Sequence, residues 1–304
     1  MDQRQLRHFV TVAETLHFSK AAEHLGMTQP PLSQSIKVLE EEIGAPLFVR
    51  TKRTVALTPL GEAWLHPVRA AMASMDALPD LAHSILKGDA GKLEVSFVST
   101  ADYTVLPTLV QRFRRRYPAV ELILTEATSD VQISSLLKGS GDIGIIVQQG
   151  AAPLPKGLAY RKLVSEPLVA AVPEAWIKQK RIRAVKNVLS NAAIASSPLV
   201  IFPRRVAPSF YDLVMEYYAA NAGNVHIIQH AIQMQTIISL VSAGMGIALA
   251  PASMRHLARS GVTYLKLEGK PPQLETGMIW RPLNSGATLA NFLHMVGDQR
   301  DNIR

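Results

Sequence analysis

The first sixty residues alternate apolar and polar positions in a way that predicts three short helices and a hairpin. Leu6, Phe9, Val10, Ala13 and Leu16 recur at helical spacing over residues 4–16. Ser19 is the expected N-cap of a helix over 20–25 that turns Ala21, Ala22 and Leu25 inward, with Gly26 as its C′ glycine. Thr28 is expected to cap a third helix, with Pro30 and Pro31 in its first turn, where missing N–H groups cost little. Leu32, Ile36, Leu39 and Ile43 form its buried stripe. Residues 45–58 read as two short strands around a basic tip. From Thr58 to about Lys87, Leu60, Trp64, Val68, Ala71, Met75, Leu78, Ala82 and Ile85 follow one another in steps of three or four, close to a 3.5-residue repeat. Such a seam calls for a partner helix, and Pro67 and Pro79 predict bends or a break in it.

After a linker at 88–91 the pattern changes. Strands are predicted at 92–99, 120–126, 142–147, 167–173, 199–202, 225–228, 246–251, 262–267 and 275–280. Helices are predicted at about 103–116, 129–138, 209–222, 232–243 and 288–299. Alternating strands and helices imply an α/β architecture with parallel sheets.

At 304 residues the chain has room for two or more domains. It has no cysteine, which excludes disulfides and thiolate metal sites and fits a reducing compartment. The opening residues, Met1 to Arg7, lack the apolar stretch of a signal peptide, so a cytoplasmic location is expected. Residues 231–254 carry no charge, but Gln233, Gln235, Gly244, Gly246 and Pro251 make them a buried helix, turn and strand rather than a membrane span. Net charge is +8, yet residues 1–60 hold seven Lys/Arg against six Asp/Glu. Most of the excess lies further on, at Arg112, Arg114 to Arg116, the run 178–186, Arg204 and Arg205. Nucleic-acid binding must therefore be argued from geometry rather than from net charge.

That geometry is a helix, a tight turn and a helix over 19–43, in which the second helix exposes polar side chains at its start. Gln29, Pro30, Ser33, Gln34 and Lys37 lie off the apolar stripe. Glutamine can pair with adenine, and Lys37 can reach guanine or phosphate. Arg50, Lys52 and Arg53 on the hairpin tip suit phosphate or minor-groove contact. The plain alternatives are a solvated helical hairpin and a solubilising basic loop. Glu40, Glu41 and Glu42 fall at the far end of the reading helix.

Other chemistry finds little support. Gly139, Gly141 and Gly144 match a dinucleotide fingerprint, but a helix precedes and a strand follows them, the reverse of what a phosphate site needs. His226 and His230 are four apart, but 225–228 reads as strand, so they need not share a face; no third ligand is near, and no nucleophile elbow exists. No cofactor, metal or catalytic residue is expected.

A ligand cleft has better grounds. Helices begin just after strands near Thr100, Thr128, Ser209 and Ala231, and in an open α/β fold such N-termini gather at the strands' C-terminal ends. Unpaired N–H groups there, including those over Thr100, Ala101 and Asp102, attract anions, and Ser99, Thr100 and Thr128 add hydroxyl donors. Arg204 and Arg205 follow a strand; Phe202, Ile247 and Ile146 are candidate apolar walls. Each Ser or Thr taken singly is as well explained as an N-cap.

Residues 4–65 closely resemble the N-terminal domain of LysR-type transcriptional regulators. The likeness rests on Phe9, Ala13, Phe18, Ala21, Ala22, Leu25, the run Gln29-Pro30-Pro31-Leu32-Ser33, Ile36, Leu39, Glu40, Gly44, Leu47, Phe48, Arg50, Leu57, Thr58, Pro59 and Gly61. Residues 91–296 are similar to the effector domain of that family through Leu106-Pro107, Phe113 to Pro118, Gly141 to Ile145 and Gly244 to Pro251. The resemblance implies a winged helix-turn-helix over 1–58, a dimerising linker helix over 59–87 and a two-lobed, periplasmic-binding-protein-like α/β domain over 91–304. Lobe one would take 91–162 and 268–304, and lobe two 163–267, with crossings near Leu163 and Leu267. It further implies promoter DNA, a small effector, a second copy of the chain (dimer or tetramer) and RNA polymerase as partners, and no enzymatic activity. The DNA-facing set becomes Gln29, Pro30, Pro31, Ser33, Gln34, Lys37, Arg50, Lys52 and Arg53.

The likeness is nearest to regulators of aromatic-compound catabolism, which places Thr100, Thr128 and Phe202 at effector-contacting positions. Gln34 stands where many relatives have Arg, and Val147 where some have Arg, so base reading and ligand choice differ there. A small anion, a carboxylate above all, is the expected effector. Two alternatives stay open: an effector-independent DNA binder whose α/β domain only oligomerises, and an enzyme acting on a small acid.

Overall fold

The computed structural model describes residues 1–51, 54–148, 154–257, 259–284 and 286–297. The chain divides into two compact units, Met1–Ser84 and Ile85–Arg304.

In the first unit, α1 (Gln3–Thr15) opens with a capping box in which Asp2 and Gln5 each accept the other's backbone N–H at 2.8 Å. Leu16, at a φ of 48°, terminates it in the left-handed region. The chain therefore turns at once, and α2 (Phe18–His24) starts before the expected cap. His17 is the N-cap, its Nδ1 accepting from Lys20 N at 3.4 Å, and Ser19 lies inside the helix with its hydroxyl donating to Gln29 Oε1 at 2.9 Å. Burial of Phe18 decides this register: a start at Ser19 would leave that ring outside the helix that seats it. Thr28 is the N-cap of α3 (Gln29–Ile43) by backbone geometry, without a side-chain capping bond.

Phe9, Val12, Leu32, Ile36, Leu39 and Leu47 are fully buried between the three helices, and the Phe9 ring lies 5.5 Å from that of Phe48 and 5.1 Å from that of Trp64. The hairpin of β1 (Phe48–Arg50) and β2 (Val55–Leu57) is antiparallel. In α4 (Pro59–Asp76), a Cβ on Gly61 would stand 2.3 Å from the carbonyl oxygen of Leu47, so only glycine allows the helix to lie against the hairpin. The long helix passes through Pro67 and breaks at Ala77; α5 (Leu78–Lys87) follows with Pro79 in its first turn. Pro79 has no N–H to extend the ladder onto Met75, but at a helix start the missing donor costs nothing. The apolar seam divides accordingly. Trp64 and Val68, with Met72, join the core, whereas Met75, Leu78, Leu81, Ile85 and Leu86 are exposed.

The second unit runs β3 (Ala90–Phe97), a 3-10 turn (Ser99–Tyr103), α6 (Leu106–Arg116), β4 (Ala119–Glu126), α7 (Ser129–Leu137), β5 (Ile143–Gln148) and β6 (Ala159–Pro173). It continues through α8 (Glu174–Lys178), β7 (Ala184–Val185), β8 (Val188–Leu189), α9 (Asn191–Ala195), β9 (Leu199–Ile201), α10 (Pro208–Asn221), β10 (Ile227–His230) and α11 (Met234–Ser242). β11 (Ala248–Pro251), a second 3-10 turn (Ala252–Leu257), β12 (Val262–Leu267), β13 (Gln273–Trp280) and α12 (Ala287–Gly297) complete it.

β4, β3 and β5 are parallel, but β13 lies antiparallel between β5 and β6, and β11 and β12 are antiparallel to β6. The sheet is thus mixed rather than parallel. β6 is much longer than the strand predicted at 167–173: residues 159–167 pair with β13, and from Leu168 the strand takes β11 and β12 instead. Its first half carries Arg161, Lys162 and Glu166 and lacks an apolar alternation, so only its pairing partner makes it a strand. The helix expected from 103 begins at Leu106, after the 3-10 turn. Each half of the sheet has its own core. One gathers Leu93, Val95, Leu109, Phe113, Ile143, Met278 and Phe292; the other gathers Val172, Val200, Val214, Tyr218, Ile237, Ile247 and Leu249. Among the described residues no helix is long and apolar enough to cross a membrane.

Candidate functional site

Helix α3 buries Leu32, Ile36 and Leu39 and leaves Gln29, Pro30, Pro31, Gln34 and Lys37 exposed, with Ser33 half-buried. These residues occupy the start and outer face of one helix, the arrangement by which a helix reads base edges. Ser19 donates to the Gln29 amide oxygen, which steadies the side chain and still leaves one lone pair and two N–H donors for an adenine edge. Lys37 lies 3.7 Å from Glu41, both well exposed, a pairing too weak to hold it from a phosphate.

Arg50 is placed otherwise than a free tip residue. Its Nη2 donates to Glu40 Oε2 at 2.8 Å and its guanidinium stacks 4.6 Å from the Phe18 ring centroid. Glu40 Oε1 accepts the backbone N–H groups of Leu47 and Phe48 at 2.9 and 3.1 Å. Glu40 therefore ties the hairpin to the end of α3, a role that its place in an acidic run conceals. Lys52 and Arg53 lie outside the described residues. A second group the sequence did not signal is His8, buried under α3 with its Nδ1 2.8 Å from Ser35 Oγ. Burial, then the neighbouring Arg4 charge, holds its pKa below the usual histidine value against a smaller opposing effect of Asp2.

In the second unit a cavity of about 480 Å³ opens where β3, β4 and β5 end and α7, α10 and α11 begin. Ser99, Thr100, Thr128 and Phe202 line it together. The Thr100 side chain is 5% exposed and its hydroxyl has no hydrogen-bond partner. An unsatisfied buried hydroxyl costs roughly 1–3 kcal/mol, which a ligand group or water in the cavity would recover. Thr128 donates to Asp130 Oδ1, and Ser129 Oγ accepts from Val147 N at 3.3 Å.

Five other residues sit elsewhere. Ile146 faces away, packed with Leu136 and Ile279, because side chains alternate along β5; its neighbour Val147 is the one on the cavity wall. Ile247 and Ala101 are fully buried in the two sheet cores, and Asp102 is exposed off the lining. Arg204 is bound bidentately to Asp212, with its Nε and Nη2 donating at 2.7 and 2.9 Å, so it does not serve the cavity. Arg205 does, exposed at the mouth with Gln233, and the buried Phe210 lines the wall. Phe202 and Phe210 meet edge-to-face at 5.3 Å. Glu126 shares the rim, exposed. Nothing in the local pattern distinguishes Arg205 from Arg204; the partner of each follows from how α10 docks. Among the described residues no cluster of side chains could hold a metal ion.

The model described as "Bacterial regulatory helix-turn-helix protein, lysR family" matches residues 3–62, and "LysR substrate binding domain" matches residues 86–301. The chain belongs to the LysR family of transcriptional regulators. It is 57% identical over 296 residues to the HTH-type transcriptional regulator IlvR of Caulobacter vibrioides, covering 97% of each chain. It is 36% identical over 301 residues to the regulator AlsR of Bacillus subtilis, covering 99% of this chain and 97% of that one. Its fold is similar to full-length CbnR in complex with its target DNA, at a TM-score of 0.72 and 26% identity over 98% of this chain and 99% of that one. These relatives are named as regulators, not enzymes. This LysR-family regulator thus pairs a DNA-binding helix-turn-helix with a substrate-binding domain.

Proposed function

We propose that this regulator binds promoter DNA in the cytoplasm as a dimer or tetramer and senses a small organic anion, a carboxylate above all, in the 480 Å³ cavity. The domains follow the boundaries 1–58, 59–87 and 91–304, with lobe one over 91–162 and 268–304 and lobe two over 163–267. The observation that carries the effector reading is the partnerless Thr100 hydroxyl, buried in the wall of a cavity with further polar groups at Ser99, Ser129 and Gln233. Arg205 supplies positive charge at the mouth, and Phe202, Phe210 and Val147 receive the apolar part. Phosphate contacts from the hairpin tip and base contacts from Gln29, Ser33 and Gln34 give affinity and specificity respectively. That the similar CbnR is known in complex with its target DNA supports DNA binding by this fold. Effector binding regulates only through unequal affinity for two arrangements of the lobes.

The test is a set of small carboxylates screened on the full chain by thermal shift, followed by titration of the best acid against Thr100→Val. That variant keeps the shape and removes the donor. Its affinity should fall about ten- to hundredfold, the equivalent of one charge-assisted hydrogen bond. An acid that binds Thr100→Val as tightly as the parent removes this cavity as its site. Absence of any shift across the set favours an effector-independent DNA binder.

A further inference from the structure

A second and larger groove, about 900 Å³, lies in the same unit away from the cavity just described. Its walls come from four segments: the end of the first 3-10 turn, the start of α6, the middle of β6 and the second 3-10 turn. Val105, Leu109, Val164 and Ala252 give it an apolar floor, and Arg112, Arg255 and His256 give it cationic or titratable groups.

The charges are out of balance. The single carboxylate on the wall, Glu166, is occupied: Oε2 accepts Ser253 N at 2.7 Å and Oε1 accepts Ser253 Oγ at 3.1 Å. Arg112 is half-buried, and neither it nor Arg255 has a hydrogen bond or ion pair among the described residues. Some exposed cations of this unit are paired, Lys162 with Glu275, Lys178 with Glu174 and Arg204 with Asp212, and others such as Arg205 and Lys270 are not, among the described residues; Arg112 differs from the latter in being half-buried on a groove wall. A half-buried arginine without a counter-charge presents a donor fork that an incoming carboxylate can take up.

We infer that this groove is a second ligand site, taking a small organic acid whose carboxylate meets Arg112 and Arg255 and whose apolar body covers Val105, Leu109 and Val164. The charge imbalance specifies an anion, and the floor specifies that it is not an inorganic one. Arg112 stands on α6 and Arg255 on the 3-10 turn after β11, and β6, which passes from one half of the sheet to the other, lends Val164 and Glu166 to the same groove. An anion held by both ties the two halves together. The first 3-10 turn contributes Ser99 and Thr100 to the smaller cavity and Tyr103 to this groove, and Thr104 Oγ1 donates to the carbonyls of Thr100 and Ala101 at 3.4 and 3.3 Å. Occupancy of the groove therefore shifts affinity in the cavity, and the reverse by linkage. That coupling rests on the effector reading above; the groove's own binding does not.

Hexanoate is the probe, titrated into the full-length regulator by ligand-observed NMR, with hexanamide and inorganic phosphate as controls. Hexanoate should bind, and both controls should bind at least about ten-fold more weakly, since one lacks the charge and the other the apolar body. Arg112→Gln with Arg255→Gln should weaken hexanoate by at least about ten-fold, in the parent and in the Thr100→Val background alike, and Arg112→Lys with Arg255→Lys should largely retain it. Equal Tm values for the parent and both double variants establish that the fold is kept. The proposal is overturned if the glutamine pair binds hexanoate as the parent does, or if it costs nothing in the Thr100→Val background, which would put hexanoate in the smaller cavity. It is also overturned if the glutamine pair changes the sedimentation coefficient and not hexanoate binding, which would make a second copy of the chain the occupant. Failure of every carboxylate to respond to Thr100→Val would remove the effector reading and leave the groove's result standing.

Discussion

Glu40 and Arg50 hold the hairpin to the end of α3, with Arg50 Nη2 donating to Glu40 Oε2 at 2.8 Å while the other carboxylate oxygen accepts the N–H groups of Leu47 and Phe48. The two residues belong to different elements, so the position of the hairpin relative to α3 depends on a single carboxylate. Glu40→Ala should destabilise the first unit by about 1–3 kcal/mol, since the N–H groups of Leu47 and Phe48 lose their acceptor together, while the exposed Arg50 guanidinium is resolvated. Thermal unfolding of the full chain, followed by circular dichroism, reads this. A loss within experimental error of zero would mean that water replaces the carboxylate there.

Gln29 and Lys37 lie on the same exposed face of α3 but should fail differently. Gln29→Ala should cost about 1–3 kcal/mol at a duplex selected from a random library and relax base choice at one position. Lys37→Ala should weaken binding across sequences and lower the salt slope by about one if it meets phosphate. Fluorescence anisotropy at several salt concentrations separates the two. Unchanged affinity in the double variant would move the DNA interface off this face.

The exposed apolar row on α5 is the expected dimer seam. Leu81 and Ile85 are 48% and 49% exposed in the single chain, whereas Val68 is 4% exposed. Leu81→Glu with Ile85→Glu should therefore give a folded monomer, because the charges are buried only when a partner covers them. Val68→Glu should instead unfold the first unit. Sedimentation velocity with circular dichroism distinguishes these outcomes, and a stable dimer in the α5 double variant would place the main interface in the second unit.

His8 makes the first unit sensitive to acid. Burial favours the neutral ring, so its folded pKa lies below the ordinary value, and the unfolded chain binds more protons as the pH falls. Its contribution to stability is complete above a pH of about 6.5 and is lost as the pH drops through the folded pKa. His8→Gln, which keeps a polar group near Ser35, should flatten the dependence of Tm on pH between about 7 and 5. An identical slope in parent and variant would show that other groups carry the acid response.

Much of the fold was legible because it is local. The stripes Leu6-Phe9-Ala13 and Leu32-Ile36-Leu39 need only 3.6-residue geometry to declare a helix and its buried face. Gly26 and Gly44 sit at the left-handed positions at which the helical patterns stop. The strand-to-helix order after residue 90, which places Ser99, Thr100 and Thr128 at one end of the sheet, follows from the same periodicities.

What the tertiary structure alone decided depends on partners distant in sequence. The first half of β6 is a strand because β13 pairs with it, and no alternation in residues 159–166 announces it. Val147 rather than Ile146 faces the cavity because β5 is covered on both sides, so burial does not tell its faces apart, and only the neighbouring helices assign them. Arg204 is committed to Asp212 while its neighbour Arg205 reaches the cavity mouth, a difference between adjacent identical side chains that no local pattern encodes. By itself the sequence determined the longer helices (though not the short α8 and α9), which family's motifs they carry and which end of the sheet holds the hydroxyls. The packing of distant segments determined which side chains at those places remain unpaired. The physical reason is that periodicity is a property of neighbours along the chain, whereas hydrogen-bond satisfaction is a property of neighbours in space.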